Sequence, residues 1–464
     1  MKRILALAML LLLLCGCAAP KQEETPTPAP PTAEEPAAPA EEKPIPVNLA
    51  INRKAGLDPF DCTDPCNRLI LEFLYEPLFV TGSDYTVRPV AAESYTVSDD
   101  GMTTTVKLRR DLEFSTGEPV TAEDVLWSLE RATGSAYYGS RFACVTDAEA
   151  TDAHTVTLTT RSPMECLPRL LDIPVARDGE NGPVGTGAYA YDGSRLTRIT
   201  DREDLPQTVG LAPVTAPDGL RDGFQYGSVT LTRQDPNGSD AVGLTGDCEL
   251  WSIPTTSLQY LGFSTRCPAA LRSAVTYVVD REAIVAEDMG GFGTAVILPA
   301  PPDSPWYQPG LSDGVTYDPE KLKSTVPAGT ALTLIVNSAN AQRTATARRI
   351  ADALRACSLN VTVQELSRER FEAALTAGDY DLYYGEIRLS PDFDLSPVFG
   401  IGGETVQRLC EAARANSGNA YDLQVSIRTD GLICPVAFKT EAVYGTRGLK
   451  LPVHPNLNGW ILCE

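Results

Sequence analysis

The sequence predicts an α/β protein, on three observations. Apolar periodicity alternates between strand and helix from residue 332 to 384. A hairpin followed by a capped helix is legible between 75 and 132. Beyond residue 46 about 420 residues remain, enough for two or more domains with sizeable cores.

The first observation rests on a β-α-β-α-β run. Strands are expected at 332–336, 361–364 and 380–384, with helices at 344–357 and 368–377. In the first helix Ala347, Ile350, Leu354 and Cys357 share one face. Strands alternating with helices in this way imply a parallel sheet with right-handed crossovers. The second observation rests on 95–97 and 103–108, strands joined through 98–101. Asp100-Gly101 supplies the positive φ of a tight turn, and Val106 and Leu108 alternate with Lys107 and Arg109. Thr121 then caps a helix, with Asp124 as its capping-box partner and Val125, Leu129 and Ala132 on the inner face.

Elsewhere, 48–52 reads as a strand and 68–74 as a helix. Residues 147–160 alternate like a strand, 162–171 open a short helix, and 198–246 read as strands and loops. Helices are expected at 268–279 and 281–288, the second capped by Asp280.

The N-terminus has its own logic. Lys2 and Arg3 precede an apolar run over 4–14, too short to span a bilayer and read as a signal peptide over 1–16. The run ends Leu14-Cys15-Gly16-Cys17, which resembles the bacterial lipobox and implies a lipid on Cys17. Residues 17–46, rich in Pro, Ala, Glu and Thr, cannot bury enough surface to offset their ordering entropy and form a tether.

Net charge is −22, and −24 once Lys2 and Arg3 leave with the signal peptide. Such a balance argues against nucleic-acid binding and against broad contact with anionic lipid. Twelve cysteines are present. Setting aside Cys15 and Cys17, most are expected as free thiols, with Cys62 and Cys66 placed for a local pair. Only His154 and His454 exist, with no nucleophile motif and no metal-ligand spacing, so neither catalysis nor a metal or other cofactor is expected.

A set of motifs in order carries a resemblance. It contains Tyr-Glu-Pro-Leu-Phe at 75–79, Ala-Glu-Ser-Tyr-Thr-Val-Ser-Asp-Asp-Gly at 92–101, Phe-Ser-Thr-Gly-Glu-Pro-Val-Thr-Ala-Glu-Asp-Val at 114–125 and Pro-Val-Gly-Thr-Gly-Ala-Tyr at 183–189. Leu-Gly-Phe-Ser at 261–264, Ala-Val-Thr-Tyr-Val-Val-Asp-Arg-Glu-Ala-Ile at 274–284 and Tyr-Asp-Pro-Glu-Lys at 317–321 complete it. Together they resemble the peptide- and nickel-binding family of solute-binding proteins that serve ABC importers. The resemblance implies a two-lobed, periplasmic-binding-protein-like α/β fold (type II, large cluster C type) with a hinge between the lobes. It divides the chain into lobe I at 47–265, lobe II at 266–431 and a return segment at 432–464, which makes the hinge two-stranded. It also implies a monomer, outside the cytoplasm and held to the cell membrane by the lipid, that passes a peptide or other small solute to a permease. A nickel chelate, an oligosaccharide and a non-transport signalling or scaffold role stay open as alternatives.

Site residues follow from the parallel sheet, whose ligand crevice lies at the carboxyl ends of its strands. The strand at 380–384 leads to Arg388, Asp392 and Asp394. In peptide-binding members of the family an acid in this segment pairs with the peptide's α-ammonium, a role that falls here to Asp392 or Asp394. Arg388 is placed to receive the carboxylate through its planar fork. Tyr383, Tyr384 and Trp251 are candidate liners of side-chain pockets.

Overall fold

The structure, a computed structural model, describes residues 44–180, 182–244, 246–399 and 403–464. The signal segment, Cys17 and the tether as far as residue 43 lie outside the described residues.

The chain is two-lobed, and one 11-stranded sheet runs through both lobes. In spatial order its path is Tyr189–Tyr191, Arg195–Arg198, Thr208–Pro213, Val47–Ile51, Leu231–Gln234, Ile433–Thr446, Cys248–Phe263, Leu382–Arg388, Ala331–Asn337 and Asn360–Leu366, and the eleventh strand, Gly293–Ala295, pairs with Ile433–Thr446 off this path. The first five strands and the last three belong to different lobes. Ile433–Thr446 and Cys248–Phe263 pair antiparallel and belong to both. The C-terminal half of Cys248–Phe263 pairs with Leu382–Arg388, while the C-terminal half of Ile433–Thr446 pairs with Leu231–Gln234. The expected boundaries at 265 and 432 therefore fall just beyond the strand ends. Along both long strands the pairing changes partner partway.

The two long strands carry a bulge where they pair. Pro254 pairs with Thr440 and Leu258 with Phe438, so three residues of one strand face the single residue Lys439 of the other. The freed backbone groups are satisfied by side chains. Thr255 Oγ1 donates to the Lys439 carbonyl at 2.7 Å, Thr256 Oγ1 to the Leu389 carbonyl at 2.6 Å, and Asn458 Oδ1 accepts from the Thr256 amide at 3.2 Å. The Lys439 ammonium, nearly fully buried, meets Asp235 of the first lobe and Glu386 of the second.

Local signals explain the flanking elements. Thr121 and Asp124 form the expected capping box of helix Ala122–Gly134, whose Val125, Leu129 and Ala132 are buried. The hairpin strands Ala92–Val97 and Thr103–Leu108 pair as read and join Thr155–Thr160 and Val145–Asp152 in a separate four-stranded sheet. In the second lobe Ala331–Asn337 pairs parallel with Asn360–Leu366 and with Leu382–Arg388, as the β-α-β-α-β pattern requires. Asn340 caps helix Ala341–Ala356, which buries Ala347, Ile350 and Leu354 against that sheet. Each such large side chain contributes about 1.5–3 kcal/mol.

Helix Pro65–Leu74 starts with the Asp64 carboxylate accepting from the Cys66 and Asn67 amides. Its last turn seats Gly185 and Gly187. A Cβ on Gly185 would lie 2.2 Å from the Leu74 carbonyl oxygen, so only glycine permits this approach. The turn expected at 185–187 is thus a packing seat within the first lobe.

Other expectations shift. The helix at 162–171 contracts to Leu167–Leu170, because Pro163 holds its predecessor out of helical backbone. The helix at 268–279 stops at Ala274 and continues as a 3-10 turn, where Val275 and Thr276 crowd the preceding turn. Within 198–246 a helix appears at Pro217–Gln225, with Leu220 and Phe224 turned inward.

All ten cysteines among the described residues are free thiols. The local Cys62–Cys66 pair does not form, because the two face different clusters. Cys62 joins the first-lobe core, and Cys66 packs beside Phe224 and Tyr444. Among the described residues no helix is long and apolar enough to cross a membrane.

Candidate functional site

The lobes meet along a junction with a charged wall and an apolar seam. On the charged wall Arg388, at the end of Leu382–Arg388 in the second lobe, lies over the ring of Tyr137 in the first, 4.6 Å from its centroid. Arg68 approaches the same ring at 4.0 Å and donates to the Tyr138 hydroxyl at 3.1 Å. Burial alone would raise the Tyr137 phenol. The guanidiniums of Arg388, Arg68 and Arg233 outweigh it and hold the group below the usual phenol range.

Arg233 organises the first-lobe side. Its Nη1 donates to Glu72 at 2.8 Å, its Nε to Glu441 at 2.6 Å and its Nη2 to the Asn458 carbonyl at 2.9 Å. Glu72 also accepts from the Ile461 amide at 2.7 Å, which ties the C-terminal segment to this cluster. Burial raises the Glu441 carboxyl, but Arg233 and then Arg388 outweigh it and hold the group below its ordinary value. Arg388 itself forms no ion pair within 4 Å among the described residues.

The apolar seam centres on Phe393. Its ring stands 4.9 Å from Trp306, 5.9 Å from Tyr85 and 5.9 Å from Phe438. Tyr85 belongs to the first lobe and packs into a second-lobe cluster, so the seam is closed. Phe393 has φ +54°, an uncommon conformation for a bulky residue. The turn sends the ring one way and sets Asp392 and Asp394 to either side.

Both acids meet Arg414, on helix Gly403–Ala415. Asp392 accepts from Arg414 Nε at 2.8 Å, and Arg414 Nη1 lies 3.4 Å from Asp394. The Ser390 hydroxyl donates to the other Asp392 oxygen. The Asp392 side chain is 0 % exposed and that of Asp394 20 %. From the first lobe, Cys166 Sγ donates to the Arg414 carbonyl at 3.1 Å and Cys144 packs nearby. Burial pushes both thiols up, which makes them poor nucleophiles.

The six expected site residues therefore separate, with Tyr383 partly buried in the second lobe and its hydroxyl 2.9 Å from that of Tyr260. Arg388 stands at the junction. Asp392 is there but sealed and internally paired, and Asp394 shares its partner. Tyr384 is in the second-lobe core with its hydroxyl donated to Gln259 at 2.7 Å, because Leu382 and Tyr384 alternate toward that core. Trp251 packs on the first-lobe core beside Gly445, away from the seam. Sequence reading missed Tyr137, Arg233, Glu441 and Arg414. Arg414 and Asp392 lie 22 positions apart, Tyr137 and Arg388 lie 251 apart, and no local pattern connects them.

Comparison with known proteins gives the frame. Glutathione-binding protein GsiB of Salmonella choleraesuis (strain SC-B67) is 26% identical over 361 residues, covering 70% of this chain and 67% of that protein. Among solved structures, the unliganded open form of the periplasmic murein tripeptide binding protein MppA aligns with a TM-score of 0.72 at 15% identity, over 88% of this chain and 96% of that one. The substrate-binding protein CtaP from Listeria monocytogenes aligns with a TM-score of 0.70 at 19% identity, over 86% and 93%. Those two likenesses establish the fold. The family model described as bacterial extracellular solute-binding proteins, family 5 Middle, matches residues 86–401, more than half of the sequence, and the chain belongs to that family of ABC-transporter solute binders, not of enzymes.

Proposed function

We propose that the protein captures a short peptide or peptide-like solute between its lobes and delivers it to an ABC permease, tethered outside the membrane by a lipid on Cys17. The observation that carries this reading is Arg388. It is a guanidinium from one lobe laid over Tyr137 of the other, with no carboxylate in ion-pair contact among the described residues. A ligand carboxylate would complete it, and in doing so would touch both lobes and favour their closed arrangement. The hinge in this reading is the bulged pair of long strands, crossing at 254–258 and 438–440 between lobe I and lobe II.

The names of similar proteins support the ligand class, since glutathione and a murein tripeptide are both peptide-like acids. Asp392 is given a supporting part, that of fixing Arg414, because both its oxygens are engaged. Asp394 accepts from the Ser396 amide at 2.9 Å and lies 3.4 Å from Arg414, but it is the more exposed of the two expected acids, so it is the one offered to an ammonium. Titration calorimetry with glutathione, dipeptides and tripeptides tests the proposal. Arg388→Ala is expected to weaken binding about tenfold or more, the scale of a lost partially desolvated charge contact. Unchanged affinity removes Arg388 from the site. Silence toward every peptide, with a response to an oligosaccharide or nickel chelate, overturns the ligand class.

A further inference from the structure

An opening lies at the edge of the closed aromatic seam, and neither Arg388 nor Tyr137 lines it. It is a cavity of about 210 Å³ that straddles the lobes. Tyr95, Glu165 and Arg169 line it from the first lobe, and Trp306, Asn416 and Ser417 from the second. Its volume falls below the roughly 300–1,000 Å³ of clefts that enclose drug-sized ligands, so it suits a smaller molecule.

Arg169 gives the cavity its chemistry. The guanidinium sits 4.8 Å above the Trp306 ring, and Nη1 donates to the Tyr85 carbonyl at 2.5 Å. No carboxylate stands within ion-pair distance of it among the described residues, unlike Arg233 and Arg414 on the same junction. A half-buried cation with no counter-ion is costly, and burial works against its charge. The two aromatic rings offer an apolar wall beside it. Glu165 accepts from Asn416 Nδ2 at 2.9 Å across the lobes, which holds the amide at the cavity edge and places a negative charge there. That charge disfavours doubly charged anions and leaves room for a singly charged one.

We infer that this cavity is a second ligand site, taking a small monocarboxylate whose charged end pairs with Arg169 and whose short apolar body lies against Tyr95 and Trp306. An occupant touches both lobes, so it braces them together. The inference goes beyond the peptide reading and does not depend on it.

The test uses the full chain without peptide. Propionate is titrated against sodium chloride at equal ionic strength, followed by tryptophan fluorescence and by thermal unfolding. A saturable fluorescence change and a rise in Tm specific to propionate are expected. In Arg169→Gln, whose fold is checked by circular dichroism, affinity falls at least about tenfold. Arg169→Lys keeps the charge but loses the planar fork, and about threefold weaker binding is expected. A wild-type response that matches chloride, fails to saturate or survives intact in Arg169→Gln overturns the site. Should Arg169→Gln not fold, wild-type affinity in Arg169→Lys overturns it as well.

Discussion

Each lobe brings to the junction a cluster of one arginine holding two carboxylates, and the two clusters are wired differently. In the first lobe Arg233 holds Glu72 and Glu441 and also reaches the Asn458 carbonyl. In the second, Arg414 holds Asp392 and Asp394. The Arg233 cluster is tied into chain segments far apart in sequence, including the C-terminal Ile461, and its Glu441 feels Arg388 from the opposite lobe. The Arg414 cluster makes its ion pairs within its own lobe, takes a hydrogen bond from the first-lobe Cys166 thiol on the Arg414 carbonyl, and lies behind the aromatic seam. The difference teaches that similar charge sets can do separate jobs. One cluster shapes a surface that faces the other lobe. The other pins a turn, and so sets the Phe393 ring in the seam.

The largest expected effect follows from Arg233. Its side chain is 10 % exposed and Glu72 8 %. Arg233→Ala leaves Glu72, in a nearly dry place, and Glu441, 27 % exposed, without their common partner. Removal of one member of a buried ion cluster costs about 3–5 kcal/mol, and Arg233 belongs at the upper end because a backbone carbonyl loses its donor too. Urea unfolding measures it. A loss below about 1 kcal/mol would mean that water reaches the cluster freely.

Arg414→Ala comes next, at about 3–4 kcal/mol, since Asp392 is sealed but Asp394 is partly wet. The comparison sharpens with Asp392→Asn combined with Arg414→Gln, which removes the charges together. If the pair serves to neutralise itself and fix the turn, the double variant is more stable than Arg414→Ala alone. Equal losses in both would show that packing of the arginine stem, not charge, is what matters.

Much of this architecture was legible in the sequence because its signals are local. Thr121 with Asp124, Asp280, and the apolar face of 344–357 each specify an element within one or two turns of chain. The bulge between the two long strands was not legible. Strand Cys248–Phe263 contains Pro254, which cannot donate to a ladder and so reads as a break. The structure places that proline at the bulge, where the pairing lapses in any case. The site was legible only in part. Arg388 lies on the strand end that parallel-sheet geometry indicates, whereas Asp392 looked like a free carboxylate because Arg414 stands on a later helix. Tyr384 and Trp251 looked like pocket residues because an aromatic side chain in a strand gives no sign of which face is the core.

The smallest effect separates the clusters by pH. Glu441 is held below its ordinary value of 4.5, against its own burial, by Arg233 and Arg388. A carboxyl whose folded pKa is depressed releases its proton more readily when folded than when unfolded. Its contribution to stability is therefore complete above about pH 4.5 and is lost as pH falls toward the depressed folded value. Unfolding free energies of the wild type and Glu441→Gln, compared from pH 7 to pH 3.5, should differ most at neutral pH and converge on acidification. Arg388→Ala removes one of the charges that depress Glu441, so in that background the convergence should be shallower. A gap that stays constant with pH, or an Arg388→Ala background that leaves its slope unchanged, would show that Glu441 answers to its own lobe alone and that the two walls of the junction are electrostatically separate.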